Sequence, residues 1–154
     1  MTHRAMSQGY RLHASLMYQL TLTSRLQERR LEEALRGLGL TRITWCVLLA
    51  VHVEGLQQPS DIAQFIGIDR TATSRALRQM EASGWVARKS GEGDRRTTTV
   101  ALTAAGVALL AKAAPMAEEN GRHFTTKLPE GGGEALRELL AQMREGEKRN
   151  LLKL

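Results

Sequence analysis

The sequence predicts a mainly α-helical protein of about six helices with one small β-hairpin. Three observations carry this. Apolar residues recur at helical spacing through most of the chain. Period-two alternation appears beside one Gly-rich turn, Ser90-Gly91-Glu92-Gly93-Asp94. Breaks at Gly37–Gly39, Gly55, Gly67, Gly84 and Pro129-Glu130-Gly131-Gly132-Gly133 cut the chain into helix-sized segments. With 154 residues, 42% of them hydrophobic, one compact unit with a sizeable core is expected.

From Gly9 to Leu38 no proline occurs, and Leu12, Leu16, Leu20, Leu22, Leu26, Leu31 and Leu35 keep helical spacing. One helix of that length is roughly 45 Å long. That is more than one face of a small domain covers, so its excess, above all Tyr10 to Tyr18, is expected against a second subunit. A second helix opens at Thr41 or Arg42 and ends near Gly55. Trp45, Val47, Leu48, Leu49, Val51 and Val53 make it apolar nearly all round, which suits a central core helix.

Gln58-Pro59-Ser60 starts a short third helix, with Ser60 as N-cap and an apolar face of Ile62, Ala63, Phe65 and Ile66. Gly67 ends it, and Asp69 caps a fourth helix, Arg70 to Ser83. Two short helices joined by a Gly-containing turn are a helix-turn-helix. On the fourth helix Ala72, Thr73, Ala76, Leu77 and Met80 form an inner stripe. Arg70, Thr71, Ser74, Arg75, Arg78 and Gln79 face outward, with no acid before Glu81. After Gly84, Trp85 to Lys89 and Thr97 to Leu102 read as two strands, with Arg95 and Arg96 at their turn and Asp94 beside them to orient an arginine. Helix-turn-helix followed by a basic hairpin is the winged helix-turn-helix layout.

Thr103 caps a fifth helix, about Ala104 to Lys127, with Val107, Leu109, Leu110 and Ala114 at core spacing. Pro115 within it is expected to kink or divide it. A last amphipathic helix runs from Glu134 to about Lys148, with Leu136, Leu139, Leu140 and Met143 on its apolar face. The expected organisation is an N-terminal dimerisation helix over residues 1–40, a DNA-binding lobe over 41–103 and C-terminal dimerisation helices over 104–154.

Charge indicates the partner. The formal net charge is +6 with a pI near 10.1. Between Arg70 and Arg96, seven basic residues face three acidic ones, so an excess of four lies within 27 residues. Such clustering fits a polyanion better than a scattered basic surface does. Arg can bond both acceptors of guanine's major-groove edge, while Ser60, Thr71, Ser74 and Gln79 suit bases or phosphates. Arg88 and Lys89 extend the basic surface onto the hairpin. Arg95 and Arg96 are placed to reach a narrow minor groove, although taken alone they also read as an ordinary charged turn.

Other classes fit poorly. No Gly-x-Ser-x-Gly, His-Glu-x-x-His or phosphate-cradling Gly loop occurs, so no catalytic residue is assigned and no enzyme or cofactor is expected. A winged helix serving protein contacts would carry an apolar or acidic outer face on its fourth helix. No apolar run approaches membrane-spanning length and no signal-type segment opens the chain, so a cytoplasmic location is expected. The single cysteine, Cys46, forms no intrachain disulfide but can join subunits or sense oxidant.

The run Gly39-Leu40-Thr41, Trp45, Val47-Leu48, Asp61-Ile62-Ala63, Gly67-Ile68-Asp69-Arg70-Thr71, Gly84-Trp85-Val86, Asp94-Arg95-Arg96 and Leu102-Thr103-Ala104-Ala105-Gly106 resembles the MarR family of bacterial transcription regulators. The resemblance implies a homodimer interlocked through its first, fifth and sixth helices, reading a pseudo-palindromic operator in double-stranded DNA. It implies Arg70 to Ser83 as recognition helix and Arg95 and Arg96 as wing arginines. It also implies a repressor released by a small aromatic or anionic effector bound between the dimerisation helices and the DNA-binding lobe. Tyr10, His13, Met17, Trp45 and Leu49 are the candidate lining of that site. Family members that sense hydroperoxides carry their cysteine in the first helix, where this chain has none. Metal-sensing members cluster their ligands, whereas His3, His13, His52 and His123 form no helical pair, so no metal site is expected.

Overall fold

The computed structural model describes residues 9–91 and 97–147. Its elements are a 3₁₀ turn Leu12–Ala14, α1 Leu16–Leu35, a second 3₁₀ turn Arg36–Leu38, α2 Arg42–His52, α3 Pro59–Ile66, α4 Arg70–Ala82, β1 Val86–Ser90, β2 Thr98–Leu102, α5 Ala104–Thr125 and α6 Gly132–Met143. The strands pair antiparallel, Val86 opposite Leu102 and Ser90 opposite Thr98. This is the mainly helical winged helix-turn-helix expected from the sequence.

The first helix is shorter than the leucine spacing suggests. Ser15 leaves the helical region at φ −73° and ψ 124°, and its hydroxyl accepts from the Tyr18 amide at 3.5 Å. An N-cap thus sits where a continuous helix is expected, and α1 runs for 20 residues, roughly 30 Å. The 3₁₀ turn before it preserves nearly the same apolar spacing, which conceals the break from periodicity alone. Tyr10, Leu12, Leu16 and Met17 are all exposed.

α2 is the core helix. Thr41 and Thr44 form a reciprocal cap: the Thr44 amide donates to Thr41 Oγ1 at 3.2 Å, and the Thr41 amide donates to Thr44 Oγ1 at 2.9 Å. Trp45, Val47, Leu48, Ala50 and Val51 are buried with Leu35, Ile62, Leu77, Met80 and Val100 in one cluster. Full burial contributes about 1.5–3 kcal/mol for each large aliphatic side chain. Val53, expected in this core, is instead exposed at the helix's C-cap. Phe65 likewise leaves the apolar face of α3 and stands exposed.

α5 packs along α1, and a polar cluster marks the seam, where Arg30 also lies 3.9 Å from Glu119. Buried Asn120 donates through Nδ2 to the Gln27 carbonyl at 3.2 Å, and its Oδ1 accepts from Arg30 Nη1 at 3.2 Å. Pro115 does not divide the helix. Both Pro115 and Ala111, whose carbonyl loses its helical partner, are exposed, so water can serve the freed oxygen. Val107 is part of the exposed apolar surface, while Leu110 is buried. α6 begins at Gly132 rather than Glu134 and buries none of its residues.

The hairpin is fastened at its base. The Val100 amide donates to the Gln57 carbonyl at 2.9 Å, joining β2 to the segment between α2 and α3. The Thr103 amide donates to the Trp85 carbonyl at 3.0 Å, and Thr103 Oγ1 donates to the Gly84 carbonyl at 2.5 Å. Gly39 adopts a left-handed conformation, φ 75°, and the Trp85 ring lies over it: a Cβ built there would be 3.7 Å from Trp85 Cη2. The joint between α1 and α2 therefore touches the start of the hairpin.

Candidate nucleic-acid interface

α3 begins with Gln58 as N-cap and Pro59 in the first turn, and no side chain caps it. Ser60 thus sits inside the first turn, not at the cap, because proline's fixed φ and missing amide suit the first helical position. Its hydroxyl is on an exposed residue beside a helix N-terminus, a place where free amides favour anions. Gly67 ends α3 at φ 79°. Asp69 caps α4, its Oδ1 accepting from the Ala72 amide at 2.6 Å.

Thr73, Ala76, Leu77 and Met80 anchor α4 in the core. Arg70, Thr71, Arg75, Arg78 and Gln79 are exposed on the other side, with Ser74 half-buried at its edge. Arg78 Nε reaches the Ser74 carbonyl at 3.4 Å. Among the described residues, Arg70, Arg75 and Arg78 have no carboxylate within salt-bridge distance. Three guanidiniums on one outward face are therefore available to an external anion.

A groove of about 470 Å³ runs between the start of α3, the face of α4 and the hairpin, and it brings Ser60, Arg70, Ser74 and Arg88 together. Gln58 and Thr98 line it too. Neither was expected there; Thr98 is placed by the hairpin's register, and Gln58 by the cap that Pro59 displaces onto it. Lys89 is exposed on the opposite face of β1 from Arg88. Arg88 itself is turned to α4, where Nε and Nη2 donate to Glu81 Oε2 at 2.8 and 2.5 Å. Glu81 appears in the sequence only as the acid that ends the basic face. Asp94, Arg95 and Arg96 lie outside the described residues.

The candidate effector-site residues separate into two groups. Trp45 is buried in the core and Leu49 packs against it. Tyr10, His13 and Met17 are exposed near the N-terminal end, where the His13 ring meets Tyr18 edge-on at 5.3 Å between centroids. A separate groove of about 280 Å³ lies where α1, α2 and α4 meet, with Glu32, Arg42, Arg75 and Gln79 among its lining. Cys46 is half-buried, and burial pushes its thiol pKa up; Arg42 opposes that shift and Glu28 adds to it. No single helix among the described residues is long and apolar enough to cross a membrane.

The helix-turn-helix and β1 fall within the region that matches a family model. Residues 38–97 match the model described as MarR family. YwoH of Bacillus subtilis, an HTH-type transcriptional regulator, is 30% identical over 88 residues, 57% of this chain and 64% of its own length. PecS of Dickeya dadantii, also an HTH-type transcriptional regulator, is 28% identical over 127 residues, 80% of this chain and 76% of its own. The transcriptional regulator MosR of M. tuberculosis, solved in complex with DNA, superposes with a TM-score of 0.71 at 28% identity, covering 84% of this chain and 92% of that one. Sequence and fold comparisons agree in kind: residues 38–97 are similar to the MarR family, and the fold is similar to that of a DNA-bound transcriptional regulator.

Proposed function

We infer that the protein is a dimeric, sequence-specific regulator that binds double-stranded operator DNA and releases it when a small aromatic or anionic molecule binds. The observation that carries this is the outer face of α4, where Arg70, Arg75 and Arg78 stand exposed without a carboxylate partner among the described residues. Guanidiniums so placed suit guanine edges and phosphates, and α4 is the helix that enters the major groove. Lys89, Ser60 and the wing arginines Arg95 and Arg96 add backbone and minor-groove contacts. MosR, solved in complex with DNA, shares this fold.

Dimerisation is supported by unpartnered apolar surface at both ends of the chain. Leu12, Leu16 and Met17 at the start, and Leu136, Leu139 and Met143 on α6, are exposed together with Tyr10. A twofold dimer would present two α4 helices to a pseudo-palindrome, with half-sites about 34–36 Å apart. Ligand release is supported by the groove between α1, α2 and α4. A small anion held there by Arg42 and Arg75 would occupy a guanidinium the operator needs and would bear on the spacing of the two reading helices.

The test is fluorescence anisotropy of the full chain on DNA flanking its own gene, over a range of salt. Affinity is expected to fall steeply as salt rises, because neutralised phosphates release counterions. Absence of binding at low salt, or binding indifferent to salt, would remove the DNA-reading role. Effector choice follows from adding small aromatic acids to the complex, a true effector lowering affinity; repression is read from transcription of the flanking gene with and without the protein.

A further inference from the structure

We propose that Glu81 and Arg88 form a strut fixing the hairpin to α4, so that Arg88 is a positioning residue and not a phosphate ligand; this rests on the DNA-binding role given above. Arg88 gives two donors to one carboxylate oxygen, Nη2 at 2.5 Å and Nε at 2.8 Å. The two side chains retain 29% and 40% of their exposure, against 75% and 59% for the surface pair Arg29–Glu33. Solvent therefore screens the strut less than it screens an ordinary surface pair.

Charge logic points the same way. Glu81 is the only acid on α4, a helix otherwise suited to a polyanion. Unpaired, its carboxylate would repel phosphate; paired, it is neutralised and made useful. The strand period supplies the geometry. Val86 and Arg88 share the inner face of β1, while Ala87 and Lys89 face outward and are exposed. Arg88 pairs across the ladder with Val100, whose amide is bonded to the Gln57 carbonyl. One edge of the hairpin is thus tied to the α2–α3 connection and the other to the end of α4. With both fastenings in place, the angle between hairpin and reading helix is set before DNA arrives, which spares the ordering cost on binding.

The experiment uses Glu81→Gln, Arg88→Gln, Arg88→Glu and the exchange Glu81→Arg with Arg88→Glu, all in the full chain. Each is measured for affinity to the flanking DNA across salt, and for hydrogen exchange of the hairpin amides without DNA. Glu81→Gln and Arg88→Gln are each expected to weaken binding about threefold to fivefold, the scale of a partly exposed ion pair, with an unchanged salt slope. Both should speed exchange at Lys89 and Thr99. The exchange is expected to restore affinity and protection well beyond Arg88→Glu alone, because only a paired interaction is rescued by reversal. Tighter binding by Glu81→Gln would overturn the proposal, since it would mean that a freed Arg88 grips phosphate. So would a salt slope reduced by about 0.9 in Arg88→Gln, or an exchange no better than Arg88→Glu. Loss of all DNA binding by the unaltered chain would defeat the regulator role instead, and the amide-exchange arm would still decide the strut.

Discussion

Gly106 lies so close to the carbonyl oxygen of Trp85 that a Cβ built on it would stand 2.1 Å away. Neither side can yield cheaply. The Trp85 carbonyl also accepts the Thr103 amide at 3.0 Å, and Gly106 belongs to the first turn of α5, its amide held by Thr103 Oγ1 at 3.1 Å. Gly106→Ala is expected to destabilise the fold by about 1–3 kcal/mol through overpacking. Urea unfolding followed by circular dichroism checks this, and an unchanged midpoint would show that α5 shifts freely.

Asn120→Ala removes both hydrogen bonds that Asn120 makes across the seam between α1 and α5, leaving the longer Arg30–Glu119 contact at 3.9 Å. The Arg30 guanidinium loses its hydrogen-bond acceptor at Nη1 and the Gln27 carbonyl loses a donor, in a position almost closed to water. A loss of about 1–3 kcal/mol is expected. Thermal unfolding measures it, and at fixed protein concentration an Asn120→Ala chain as stable as the original would show that the Asn120 bonds contribute nothing to the seam.

Asp69→Ala withdraws the carboxylate that accepts the Ala72 amide at 2.6 Å. Loss of this cap is expected to cost about 1 kcal/mol and to fray the start of α4. Hydrogen exchange at Ala72 should accelerate more than exchange at Met80. Equal acceleration at both would indicate global destabilisation rather than a lost cap.

On the DNA side, Arg75→Ala and Arg78→Ala should each cost about 1–3 kcal/mol wherever the side chain forks onto a guanine, with relaxed preference at that base pair. Lys89→Ala should weaken binding evenly across sequences and lower the salt slope, as loss of a phosphate contact does. Anisotropy on a panel of single-base operator variants separates the two behaviours; a sequence-selective loss from Lys89→Ala would reverse the assignment.

For Cys46, burial holds the thiol pKa above its ordinary value, with Arg42 opposing and Glu28 adding to the shift. A raised pKa keeps the group as thiol at neutral pH, and the thiolate is the reacting species. Alkylation by iodoacetamide should therefore be slower than for a free cysteine at pH 7 and should rise only at more alkaline pH. Rapid labelling at neutral pH would favour the oxidant-sensing alternative.

The helix-turn-helix was readable because each boundary carried its own chemistry: Gly67 for a left-handed exit, Asp69 for a cap, and an inner stripe of Thr73, Ala76, Leu77 and Met80 at helical spacing. What escaped was competition between local rules. Ser60 has a capping hydroxyl, but Pro59 claims the first helical position and moves the cap to Gln58. Ser15 interrupts a leucine pattern that a 3₁₀ turn continues almost in phase. Pro115 stays inside α5, where water can serve the freed Ala111 carbonyl, and that exposure is not written in the residue itself. At the site, the outward arginines of α4 follow from periodicity. The Glu81–Arg88 pair does not, because its members stand seven positions apart across a stretch that runs from a helix end into a strand. Trp45 shows the reverse limit: an aromatic on a strongly apolar helix reads equally as pocket or core, and packing puts it in the core.

The placement of the two tryptophans gives the protein an optical gauge of its own motion. Trp45 is sealed in the core, while Trp85 lies against Gly39 where α1 passes into α2. Emission from the first is expected to serve as an internal standard, and emission from the second to change with the angle of that joint. Any molecule that swings the chain's ends relative to α4 is expected to register as a change in one indole and not the other, without a dye or a label.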